Sequence, residues 1–129
     1  MKGLRMITSK FSVTETADRV VHFIEEEGLH LFARIDHASQ AAKNGLNLRP
    51  TEVLIFGNPK IGTLLMQNRQ TTAIDLPVKA LVMEDEAGKT VIAYNTVEWL
   101  KKRHDLTDEK TLSKIGQKIH KICSTAAGS

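Results

Sequence analysis

The chain has 129 residues, of which 41% are hydrophobic and 26% charged, a balance that fits one folded unit with its own core and excludes a disordered or fibrous protein. A single cysteine, Cys123, excludes an internal disulfide. No apolar run approaches the roughly 20 residues that span a bilayer, and the first eleven residues lack the continuous apolar stretch of a secretion signal, so the expected location is the cytoplasm.

The net charge of +3 is unevenly placed: residues 101–129 hold seven Lys/Arg against three Asp/Glu, and residues 1–100 hold eleven against twelve. The basic character therefore belongs to the C-terminal segment. A nucleic-acid face needs clustered charge on the folded surface, and this distribution argues against one.

In chain order, Met6–Phe11 reads as a first strand. Ser12 opens an S-x-x-E capping box with Glu15, and Val13, Ala17, Val20, Val21 and Ile24 follow at helical spacing, closed by Gly28. Leu29–Asp36 alternates, with Leu29, Leu31, Ala33 and Ile35 on one side and a half-polar face on the other. Asp36 is placed to cap a short helix over Ala38–Asn44. Glu52–Phe56 is a compact apolar strand. Asn58 and Pro59 then suit the cap and first position of a helix over Pro59–Asn68, and a loop with Thr71, Thr72, Asp75 and Pro77 follows. Val78–Glu84 and Thr90–Tyr94 read as a hairpin. Thr96–His104 is a helix. Asp108–Ser124 is the last helix, with Leu112, Ile115, Ile119 and Ile122 on one side and Lys110, Lys114, Lys118 and Lys121 on the other. Residues 126–129 should fray.

The resulting order, β-α-β-α-β-α-β-β-α-α, predicts an α+β fold of two layers: a largely antiparallel sheet with helices packed mainly on one face. The other face is expected to be less covered, and is closed either by a second subunit or by the last helix. In this reading residues 1–106 form the α+β domain, and 107–129 form a basic amphipathic helix packed on that domain or on a partner.

Four separated motifs stand out together: A-R-I-D-H-A over Ala33–Ala38, L-R-P-T-E-V-L-I-F-G-N-P over Leu48–Pro59, G-T-L-L-M over Gly62–Met66 and I-D-L-P over Ile74–Pro77. On these motifs the chain resembles the domain of unknown function 302 family, from about Ile7 to Asp105. The resemblance implies a small two-layer α+β fold, often dimeric, with no established reaction.

The polar residues within those motifs are the candidates for chemistry. Asp36 and His37 offer a carboxylate and an imidazole at a strand end, as an acid–base pair needs; the plain alternative is that Asp36 only caps a helix. Arg34 and Arg49 offer guanidinium forks for an anion, or else pair with structural carboxylates. Gly57–Thr63 places a glycine turn before a helix N-terminus, where Asn58 and backbone N–H groups suit an anion. It is not a P-loop, because Thr63 stands where the lysine should follow the second glycine. Asp75, in a loop before Leu76-Pro77, is a further candidate, while Met66 is read as core filler. The histidines at 22, 30, 37, 104 and 120 are scattered without metal-ligand spacing, so no metal site is expected. His37 or Met66 is of a type that ligates haem, but nothing in the pattern calls for that cofactor.

The leading expectation is a homodimer that holds a small anionic ligand in a cleft of Arg34, Asp36, His37, Arg49, Asn58 and Asp75. The alternatives are an enzyme using the same cleft, with His37 or Asp75 as general acid/base and Arg49 steadying negative charge, and a structural or interaction protein without a ligand.

Overall fold

A computed structural model describes residues 1–129. Strands β1 (Leu4–Thr8), β2 (His30–Asp36), β3 (Thr51–Gly57), β4 (Val78–Glu84) and β5 (Thr90–Asn95) alternate with helices α1 (Val13–Glu26), α2 (His37–Lys43), α3 (Pro59–Asn68), α4 (Val97–His104) and α5 (Glu109–Ala126), with a 3-10 turn over Gln70–Asp75. The strands form one sheet in the order β1-β5-β4-β3-β2, and all four pairings are antiparallel. The fold is thus α+β with the element order read from the sequence.

Local chemistry explains where the helices start. Ser12 Oγ accepts from the Glu15 N–H, Asp36 from Ser39, Asn58 from Lys60, Thr96 from Trp99 and Asp108 from Thr111. Each satisfies an N–H that the first turn would otherwise leave unpaired. Gly28 ends α1 at φ +70°, a left-handed conformation that costs a residue with a Cβ about 1–2 kcal/mol.

The principal core lies between the sheet and the pair α1/α5. Leu54 and Phe56 of β3, Ala80 and Val82 of β4, and Ile92 and Tyr94 of β5 meet Val13, Ala17, Val20 and Ile24 of α1 and Ile119, Ile122, Cys123 and Ala126 of α5. A satellite cluster of Leu65, Leu100, Leu106 and Leu112 ties α3 and α4 to the start of α5. Burying such side chains drives folding, and truncating one typically costs about 2–5 kcal/mol.

Three expectations are corrected. The C-terminus does not fray: Ala126 and Ala127 are 0% exposed, and the Arg19 guanidinium donates to the carbonyls of Ala126 and Thr125. The first strand starts and ends earlier than read, at Leu4–Thr8: Ser9 N–H still donates to the Thr90 carbonyl, but its hydroxyl already bonds Thr16 of α1 in the interior. The simple alternation of β2 breaks at Phe32: Leu31 opposes Phe56, but Ala33 opposes Ile55, so a β-bulge lies between them. Leu31 therefore faces the core, while Ala33 and Ile35 face the opposite side of the sheet.

That opposite side is apolar as well. Cross-strand register lines up Ile35, Val53, Leu81, Ala93 and Met6 as a row crossing all five strands. The two apolar clusters that include helix residues contain none of these five. α5 lies on the α1 side, so the last helix does not close this face.

Candidate functional site

The sheet ladder shows how the candidate polar residues are distributed. Asp36 pairs with Glu52, and His30 pairs with Gly57 at the other end of β3. Five residues of strand separate those ends, about 17 Å at ~3.4 Å per residue. Arg34, Asp36, His37 and Arg49 belong to the first end, and Asn58 and Asp75 to the second. The structure does not bring the six around one hollow.

At the first end the groups serve one another. Arg34 donates to Glu52 at 2.8 Å and to Asp18 at 2.7 Å, which joins β2, β3 and α1. Its pKa is raised, chiefly by the bond to the nearly buried Glu52. Asp36 caps α2, His37 is that helix's exposed first residue, and Arg49 donates to the Glu84 carbonyl at 3.2 Å.

At the second end Asp75 is hydrogen-bonded to His104 Nε2 and forms an ion pair with Arg103 at 3.1 Å, and His104 Nδ1 shares a 2.9 Å bond with the Thr71 hydroxyl. His104 is buried and Asp75 largely so. The carboxylate–imidazole–hydroxyl chain binds the 3-10 turn to α4. The crevice that Asp75 lines has room for about 20 Å³, enough for one water rather than a substrate. Sequence reasoning gave His104 no role, since nothing in its neighbourhood announces Asp75, 29 positions away. Cys123 is enclosed by the core, and burial pushes its thiol up to about 12, so it is not a nucleophile at neutral pH. No group of three or more His, Cys, Asp and Glu converges as metal ligands would.

A sizeable hollow lies at the second end, between the β2–β3 edge, α3 and α5. It measures about 250 Å³. Leu29, Phe32, Phe56, Ile61, Met66 and Leu76 are among its apolar walls, Asn58 lines it beside the start of α3, and Lys114 and Lys118 approach from α5. The bulge in β2 accounts for Phe32, whose ring joins the cavity wall rather than completing the alternation of the strand. Met66, read as filler, belongs to this wall too. The only sequence signal for the hollow is Gly62, which leaves a helical position without a side chain facing Leu76 and Met66.

The model for the family described as "Domain of unknown function DUF302" matches residues 6–126. The chain belongs to the DUF302 family. The match extends through α5, beyond the stretch that the sequence motifs cover. A protein named fluoride-specific ion channel FluC 1 from Brucella suis biovar 1 is 45% identical over 104 residues, covering 81% of this chain and 41% of that protein. FluC 2 from Brucella melitensis biotype 1 shows the same identity over 38% of its length. The chain thus spans about two fifths of the curated relatives it matches. A DUF302 protein from Bacillus stearothermophilus, known from its crystal structure, has the same fold, with a TM-score of 0.78 at 18% identity over 99% of this chain and 98% of that one. No helix of the DUF302 chain described here is long and apolar enough to cross a membrane.

Proposed function

We propose that this DUF302 chain is a binding module that takes a small, largely apolar ligand between β2–β3, α3 and α5. The observation that carries this reading is the hollow itself. At about 250 Å³ it exceeds the ~150 Å³ engineered cavity that admits benzene and falls just under the ~300–1,000 Å³ of drug-sized sites. Apolar walls with one amide and two ammonium groups at the margin match the usual make-up of a ligand site. The enzymatic alternative has less support, because Asp75 is already engaged by His104 and Arg103. The FluC-named relatives devote about two fifths of their length to a similar stretch, which suits a module that joins other proteins as a sensing unit.

The test is thermal unfolding of the full chain with short-chain alcohols and acids, repeated on Gly62→Leu. A Cβ at position 62 would sit 3.8 Å from Leu76 and 3.9 Å from Met66, in ordinary contact, so the backbone admits a side chain there, and a leucine is placed to take up space beside these two lining residues. Wild type should gain several degrees at saturating octanol, since ligand at about 100 times Kd adds roughly 2.7 kcal/mol. Gly62→Leu should unfold no earlier than wild type, because replacing a helical glycine gains about 1 kcal/mol, yet show no shift. An equal shift in both proteins would remove the cavity from consideration.

The proposal includes a second copy of the chain. An antiparallel sheet with one wet face alternates apolar and polar residues, but β3 reads Val53-Leu54-Ile55-Phe56 without interruption. The row of Ile35, Val53, Leu81, Ala93 and Met6 is patterned for burial, and a homodimer through this face buries it.

A further inference from the structure

Resting on that cavity reading, we infer that the ligand is an amphipathic anion: an aliphatic tail among the apolar walls and a carboxylate held by Lys114 and Lys118. Three features of the site point the same way. Its seventeen lining residues include two lysines and no acidic residue, so the rim carries positive charge without an internal counter-ion. The two lysines stand four positions apart on α5, which puts them on one face of the helix, one turn from each other. Neither takes part in an ion pair. Lys121 pairs with Glu27, whereas Lys118 reaches only the Glu27 carbonyl at a long 3.5 Å.

Residues of the same helix turn form the adjoining wall. Ile115 and Ile119 line the cavity between and beside the lysines, so α5 presents apolar and cationic groups to one ligand. A fully polar anion such as inorganic phosphate would leave the hydrocarbon walls without a partner. A neutral hydrocarbon would leave the ammonium groups at the rim unused. A chain of about eight carbons ending in a carboxylate satisfies both, and its size suits a site slightly below drug-ligand volume. Charge-assisted bonds from ammonium to carboxylate are roughly twice as strong as neutral ones, so the head group should set the preference among ligands of equal tail length.

Isothermal titration of the full chain with octanoate, octanol and octylamine tests this, alongside a Lys114→Gln/Lys118→Gln protein whose fold is checked by circular dichroism. Octanoate should bind wild type at least about tenfold more tightly than octanol, with octylamine weakest. In the double variant octanoate should fall to the level of octanol while octanol itself is unchanged. Raising the salt concentration should narrow the octanoate advantage in wild type, because exposed ammonium groups are screened. If octanol or octylamine matches octanoate in wild type, or if the double variant keeps the preference, the anion assignment is overturned and the apolar cavity stands. If none of the three binds, the cavity reading falls as well.

Discussion

At the scale of single residues, most polar side chains of this chain hold turns and helix ends. Asp108 is the clearest case. Its carboxylate accepts the hydroxyl of Thr111 at 2.7 Å and the Thr111 N–H at 3.2 Å. These bonds, the hydroxyl's first, hold its pKa below the usual carboxylate range. A carboxyl whose native pKa is depressed stabilises the fold above its unfolded pKa, and that contribution is lost as pH falls through the lowered native value. Asp108→Asn keeps a capping oxygen without the charge. The urea midpoint of wild type should therefore drop more steeply than that of Asp108→Asn between about pH 5 and pH 2. Superimposable profiles would show that the charge on Asp108 does not contribute.

The same residues show what a sequence discloses and what it hides. Ser12, Asp36 and Asn58 act through N–H groups two or three positions away, so a short window contains both partners and the caps are legible. Arg34, Asp75 and Lys114 act through partners or hollows assembled from distant segments. Their residue types advertise charge, but which charge meets which is fixed only by the register of β2 on β3 and by the packing of α5. The cavity was illegible for a further reason: apolar lining residues have the same spacing as core residues, and only an absent side chain, Gly62, distinguishes a wall from a filled interior.

Between elements, the approach of α4 to α5 sets the geometry of the cavity wall, because Ile115 and Ile119 reach the hollow from a helix that α4 braces. Gly116 permits that approach: a Cβ there would lie 3.1 Å and 3.3 Å from the two methyls of Val97. Gly116→Leu forces the helices apart and should cost about 1–3 kcal/mol, the range for overpacked sites, read as a lower urea midpoint with an unchanged m-value. Gly116→Ala sets a helix-propensity gain of about 1 kcal/mol against a contact that Val97 must relieve, so its midpoint should hardly move. A Gly116→Leu protein as stable as wild type would mean that α4 does not constrain α5 there. The element scale also explains why the C-terminus reads wrongly as a fraying tail. Small alanines carry little hydrophobic signal, yet Ala126 and Ala127 pack where Arg19 reaches the last carbonyls of the helix.

For the whole molecule, the decisive feature is a sheet with two apolar faces and the core-forming helices α1 and α5 on one. Leu81 stands in the middle of the row on the other face, paired with Val53 on one side and Ala93 on the other. Lys79 and Asn95 mark one end of the face, and Thr8 and Thr51 the other, which gives an apolar centre with a polar margin, the usual anatomy of a protein interface. A specific dimer buries about 800 Å² on each partner, and five strands at about 4.8 Å spacing make this face roughly 24 Å broad. The chain should therefore sediment at twice its 14.3 kDa mass. Leu81→Lys places an ammonium at the centre of the interface, where an unpaired buried charge costs several kcal/mol, and should sediment as a monomer that keeps its circular dichroism spectrum. The core-side cavity is remote from this face across the sheet, so octanoate affinity should survive the substitution. A wild-type monomer, or a Leu81→Lys protein that remains dimeric, would assign this face to some other occupant and leave the ligand site untouched.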